Sequence, residues 1–543
     1  MRATKGRKIW ATSGFLFLVV ALIGVLVLTA CAGGGGNGGN GATPRPRPWV
    51  LKFARATTGI GGGLGIDPGT SSEGTSPGLQ ADWLTSWEWD GEAFQRVPVI
   101  ATSWEFNRDT MTTDHWIRTD VPFHNGDFVT AEDIKFSMDR YFDPDVVGPE
   151  WAAINDRFVN RVEIVAPDHI RTYWDEWNWA YVLSNSGVPL VPKDYIEGLI
   201  ADLGNLEGWT EWAEQPVTTG AFKVADWERD SYVHLVKAFD EHFYHGVPPF
   251  DEVYVYVVVE PSTRLAMLKA GEVDIANIPP AMVSDVENDP NLTLAWSRYS
   301  SPWCVRFYDV FLGGMGPLTK DKVRQAIKLA IDREGIGEYV FHGALEPWGS
   351  FYPPYHIAYR EREPDPYDPE EAQRLLEEAG YLDGFDIVFS YPLDREAESQ
   401  ALVASLADVG IRAEATGIEP TTWATMLWTN QHIGMGYIHQ PWWGGSSVFD
   451  IGQFVNDWGA QGTRDSPEIE AAWEAQNAAT TEEEYILTCQ AAEDVLFDLD
   501  CQMVVWAVHG AYGYTNDTIE SWEPTMGSEL DQNLFRVTLK KYM

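Results

Sequence analysis

The chain has 543 residues and a formal net charge of −43, from 81 acidic and 38 basic side chains. That length exceeds what one hydrophobic core serves and implies two to four domains, while the 45% apolar content is ordinary for a globular protein. The charge excludes nucleic acid as a partner, because no basic footprint meets the phosphates, and disfavours electrostatic adhesion to anionic lipid.

Arg2, Lys5, Arg7 and Lys8 precede an apolar segment from Ile9 to Leu28, and Leu28-Thr29-Ala30-Cys31 closes it. The segment is long enough to span a bilayer as a helix, and an uncleaved anchor is the alternative reading. Leu-Thr-Ala-Cys, however, resembles a bacterial lipobox, which implies that residues 1–30 are a signal peptide and that Cys31 is lipidated. Either reading places the remainder outside the cytoplasmic membrane, and a lipidated Cys supplies the two or more acyl chains that stable anchoring needs. Removal of residues 1–30 takes away four basic and no acidic side chains, so −43 becomes −47. Residues 31–48 form a Gly/Pro-rich tether, flexible in its Gly/Asn part and stiffer through Pro44-Arg45-Pro46-Arg47-Pro48.

Trp49–Ala54 reads as the first strand. Gly59 to Gly65 is rich in Gly, but it matches neither G-x-G-x-x-G nor a P-loop and reads as a surface or mobile loop. Pro98 to Glu105 is a strand, Asn125-Gly126 a hairpin-type turn, and Thr130 caps a helix with Asp133 three residues on. Ile134, Met138 and Tyr141 share one face of that helix. No nucleophile or orienting carboxylate shares the motif of His124, so a structural role is expected for it. Trp151 to Trp212 is Trp-rich and irregular.

Pro216 to Ala276 is the most legible stretch. Ala221–Val224 and Tyr232–Lys237 are β-like, and Val253–Val259 is an apolar run of the kind buried on both faces. Pro261 opens a helix carrying Leu265, Met267 and Leu268, which Gly271 ends. Further on, Asp321–Arg333 is a helix with Val323, Ile327, Ala330 and Ile331 inward. Asp368-Pro369-Glu370-Glu371 starts another, with its N-cap, a Pro at the first position and acids at the positive end of the helix dipole. Phe385–Tyr391, Ala397–Val409 and Ile411–Ala415 make a strand, helix and strand, a parallel crossover unit. Glu482–Leu499 is the last helix and Met503–Val508 a strand after it.

These strings resemble the family 5 extracellular solute-binding proteins of bacterial ABC importers, receptors for peptides, nickel and some oligosaccharides. The resemblance is carried by Pro216–Ala276, by Phe123-His124-Asn125-Gly126 with the helix after it, and by Val323-Arg324-Gln325-Ala326 followed by Ala330-Ile331-Asp332-Arg333. It implies an α/β fold of two hinge-linked lobes built on mixed sheets, with an extra subdomain in the first lobe. The expected division is 49–90, 215–305 and 510–543 for the core of lobe I, 91–214 for the extra subdomain, and 306–509 for lobe II. It implies a lipid-anchored, monomeric receptor, not an enzyme. Such a receptor captures a solute between the lobes by hinge closure and delivers it to the membrane-embedded permease subunits, with no cofactor and no metal. His242 and His245 fall in a family turn and are expected to be structural. The alternative of another class is a secreted glycan hydrolase, for which no carboxylate pair or catalytic motif stands out.

For the ligand, Gly436 to Asp450 stands where peptide-binding relatives carry Gly-Trp-x-x-Asp, whose Asp pairs with the peptide's α-amino group. Here Trp442 and Trp443 are followed by Gly444, Gly445, Ser446 and Ser447. Paired Trp beside small polar residues suits the apolar faces of sugar rings, and the chain's 25 Trp favour the same reading. The expected ligand is therefore an oligosaccharide, with an oligopeptide as the alternative, and the expected binding residues are Trp442, Trp443, Trp303, Trp423 and Tyr437. Among the cysteines, Cys489 and Cys501 could pair or remain buried thiols, and no Cys or His spacing suggests structural zinc.

Overall fold

The computed structural model describes residues 49–56, 77–89, 94–147, 152, 156–184, 188–297, 302–308, 316–354, 356–419, 422–423, 426, 434–439, 466–524, 534–535 and 537–540. Two mixed sheets carry the architecture. The first holds seven strands in the order Leu292–Ser297, Gly510–Thr515, Ile275–Ile278, Val50–Arg55, Glu252–Val257, Tyr232–Lys237 and Phe222–Glu228. The second holds six, in the order Leu345–Pro347, Gln502–Val508, Pro302–Phe307, Met435–His439, Phe385–Pro392 and Ile411–Ile418. The chain passes from the first sheet to the second after Ser297, and back through His509 alone, between Val508 and Gly510. Each sheet has its own core, around Leu51, Phe53 and Val253 in one lobe and around Val305, Ile327 and Phe389 in the other.

The local signals explain most elements. Thr130 and Asp133 make a reciprocal capping box on the helix Ala131–Asp139, and Asp368 accepts the Glu371 N–H at 2.9 Å to start Pro369–Glu378. Phe385–Pro392 runs parallel to Ile411–Ile418 through the helix Glu396–Asp408, in register from Phe385–Ile411 to Pro392–Ile418. The helix Asp321–Leu329 stops four residues before the expected end, because Asp332 caps a new turn by accepting the Gly335 N–H at 2.8 Å.

Two expectations are corrected. The strand Glu252–Val257 buries only Val253 and Val255; Tyr254 and Tyr256 are half-buried and Val259, beyond the strand, is exposed. Its outer face is covered by rings, His234 stacking on Tyr254 at 4.0 Å and Tyr254 on Tyr256 at 5.9 Å. The stretch 151–212 is also less irregular than its composition suggests. Val159–Ala166 and His169–Trp174 complete a four-stranded sheet with Ala101–Asn107 and Thr112–Ile117, in the order Ala101–Asn107, Thr112–Ile117, His169–Trp174, Val159–Ala166. Its Trp174, Trp177 and Trp179 are buried against the helix Glu482–Asp498. Cys304, Cys489 and Cys501 are buried thiols that form no disulfide among the described residues.

Candidate functional site

Strand direction locates the cleft end of the six-stranded sheet. Phe385–Pro392, Ile411–Ile418 and Met435–His439 run parallel, and Pro302–Phe307 runs antiparallel to Met435–His439. Trp303, just after the first lobe crossing, is therefore in register with His439 and with Trp506, which lies just before the second. The carboxyl ends of the three parallel strands thus meet the two crossings, the place where open α/β sheets bind ligands. The chain leaves this end after Pro392, Ile418 and His439, the last residues of the three parallel strands.

Three of the five expected binding residues are described, and all three are buried at this end. Trp303 lies 4.7 Å from the Tyr437 ring, with the Arg395 guanidinium 4.6 Å over its indole. Trp506 Nε1 donates to Tyr437 Oη at 2.5 Å, and burial, followed by the nearby Glu398 carboxylate, raises the Tyr437 pKa well above its ordinary value. Trp423 packs over Gly436, where an added Cβ would stand 2.5 Å from Tyr308 and 3.1 Å from Trp423. Trp303 and Tyr437 thus belong to one core cluster, Trp423 to another. Trp442 and Trp443, with Gly444–Ser447 and Asp450, lie outside the described residues, as does Cys31. Sequence reasoning missed Arg395 and Glu398, whose side chains are 3.3 Å apart. The signal for them was their place directly after the carboxyl end of a parallel strand.

A second knot of polar groups lies at the other lobe. Thr218, Thr219 and Gly220 meet residues 79–82, and the Gly220 N–H donates to Gln80 O at 3.0 Å. Thr219 Oγ1 accepts the Asp82 N–H at 3.1 Å. His124 Nδ1 accepts the Thr218 N–H at 3.4 Å, which leaves its proton on Nε2, 2.8 Å from Gly220 O. Burial lowers the pKa of His124 to about 4 and that of His245 likewise to about 4.

Asp82, His242 and His245 bring ligand-type atoms within 4.8 Å of one another. His242 Nδ1, however, accepts the backbone N–H of His245 at 3.2 Å and of Tyr244 at 3.4 Å. Its proton therefore sits on Nε2, which faces Thr219 O at 3.1 Å and Asp82 Oδ2 at 3.2 Å. A metal would have to displace that proton from a ring whose other nitrogen is already committed as an acceptor. These contacts brace the turn that carries His242 and His245.

Residues 95–465 match the bacterial extracellular solute-binding proteins, family 5 (middle). The chain belongs to this family. Its members are transport receptors of ABC importers and not enzymes, and the chain accordingly acts outside the cytoplasm. Among curated proteins it is 27% identical over 385 residues to heme-binding protein A of Haemophilus influenzae, covering 66% of this chain and 68% of that protein. It is also 27% identical over 328 residues to the glutathione-binding protein GsiB of Salmonella typhimurium, covering 59% of this chain and 61% of GsiB. The fold is that of the periplasmic binding protein DppA from Helicobacter pylori, solved with the peptide STSA. That match has a TM-score of 0.69 and 21% identity over 91% of this chain and 99% of DppA. Among the described residues no helix is long and apolar enough to cross a membrane.

Proposed function

We propose that this chain is the receptor of an ABC importer for short peptides or peptide-like solutes, held at the membrane by lipidated Cys31 and working as a monomer. The observation that carries the ligand class is the similarity to GsiB, named for glutathione, itself a tripeptide. The oligosaccharide preference has no such support: Trp303, Trp423 and Tyr437, which suggested stacked sugar rings, are packed into the lobe core instead of standing open.

The test is a thermal-shift titration of the protein against di- to pentapeptides, glutathione and cello-oligosaccharides. A ligand present at about 100 times its Kd adds about 2.7 kcal/mol, a rise of about 2–3 °C for a folded body of this size. A rise with peptides and none with glycans is expected. A rise with glycans alone overturns the peptide reading.

A further inference from the structure

The outer face of the four-stranded sheet carries a groove of about 300 Å³, lined among others by Glu105, Asn107, Asp114, Trp116, Arg171 and Tyr173. This sheet is separate from the one whose carboxyl ends form the cleft. Cross-strand register sets the floor: Asp114 stands opposite Arg171 on one side and Glu105 on the other, with Tyr173 and Asn107 flanking the next position, Thr112.

Several groups here are prepared for a ligand that the protein does not itself supply. Asp114 is only 6% exposed, yet its contacts from His169 Nε2 at 2.5 Å and Arg171 Nε at 2.8 Å both fall on Oδ1. Asp114 lines the groove, and its Oδ2 takes no hydrogen bond from the described residues. That oxygen is left as an acceptor for a donor arriving from outside. His169 stacks on Trp116 at 4.7 Å and 15°, so one indole face is covered and the other turns toward the neighbouring strand, where Ser103 is its small partner. Likewise Arg161 lies 3.6 Å over the Tyr173 ring from the outer strand, leaving the opposite face toward Thr112.

Charge then selects the class. Arg171 is held by Asp114, so no free guanidinium waits for an anion, and Glu105 and Asn107 are left as the open hydrogen-bonding groups of the floor. What remains is a neutral molecule that offers hydroxyl donors to carboxylate oxygens, accepts from Asn107 and the Trp116 indole N–H, and presents an apolar C–H face to a ring. We propose that this groove binds a neutral saccharide ring, independently of the cleft ligand.

The experiment is saturation-transfer NMR on the full-length protein with glucose, N-acetylglucosamine and cellobiose, and in a second arm co-sedimentation with insoluble peptidoglycan sacculi. Trp116→Ala should weaken binding about tenfold, the scale expected for a lost ring contact of about 1.4 kcal/mol. Glu105→Gln, at an exposed position with no ion pair among the described residues, should weaken it severalfold while leaving the fold intact, which keeps the test valid if Trp116→Ala does not fold. Both variants should keep the peptide-induced thermal shift, so failure here is distinguishable from failure of the cleft reading. Binding of free sugars marks a soluble source and sedimentation alone marks an envelope glycan; either supports the groove. No response in either arm overturns the proposal. So does displacement of the sugar by spermidine, or unchanged binding in both variants.

Discussion

The Thr218–Gly220 knot in the first lobe and the cleft end of the second lobe's sheet both gather buried polar groups, but different parts of the chain hold them. At the knot the partners are mainly backbone: Gly220 N–H on Gln80 O, His124 N–H on Thr218 O, and His124 Nε2 on Gly220 O. At the cleft end they are side chains arriving from separate strands and loops, Trp303, Arg395, Tyr437 and Trp506. Backbone contacts tolerate few substitutions, whereas side-chain clusters can be rebuilt around a new ligand. One place fixes the frame and the other is free to change specificity.

The sharpest way to break this contrast is Gly220→Ala. A Cβ there would lie 2.2 Å from Gln80 C and 2.5 Å from Gln80 O, both backbone atoms that cannot swing aside. We expect a loss of about 3 kcal/mol in urea denaturation, at the upper end for overpacking, with peptide affinity per folded molecule unchanged. A loss under about 1 kcal/mol would mean that the knot yields as readily as a side-chain cluster. Tyr437→Phe should do less. It leaves the buried Trp506 N–H without its acceptor at 2.5 Å and should cost about 1–3 kcal/mol of stability. If Tyr437 is packing and not a ligand contact, the Kd for peptides stays within about twofold in an isothermal titration. A large rise in Kd without loss of stability would return Tyr437 to the binding surface.

The same contrast explains what could be read in the sequence. Pro216–Ala276 and Phe123–Gly126 were legible because their Thr, Gly and His positions answer to backbone geometry, which one residue type satisfies. The strands at 159–166 and 169–174 were not, since Trp-rich composition conceals alternation: Ile170, Thr172 and Trp174 point inward while His169, Arg171 and Tyr173 point out. Trp303 and Trp423 were expected to bind the ligand, but an indole reads the same in sequence whether it is stacked on a ligand or packed against Tyr437 and Gly436. Only the burial of each ring separates the two, and it comes from partners distant in the chain, Tyr437 lying 134 residues after Trp303.

The smallest effect expected is a pH slope, and it belongs to the knot. The His124 ring accepts the Thr218 N–H on Nδ1 and is buried, so its pKa falls to about 4 from an ordinary 6.5. Between those values the unfolded chain holds a proton that the native protein refuses. Stability is therefore complete above about pH 6.5 and declines as pH falls toward 4, by about 1.4 kcal/mol per pH unit for this residue. His245, lowered to about 4 by burial against the opposing effect of Asp82, adds a slope of the same sign. His124→Gln can still donate to Gly220 O but cannot titrate. Urea denaturation at pH 7.5, 6.0 and 5.0 should then show a shallower acid decline than the native chain, by about 1.4 kcal/mol per unit below pH 6. An unchanged decline would place the acid-sensitive groups elsewhere and leave the knot held by its backbone contacts alone.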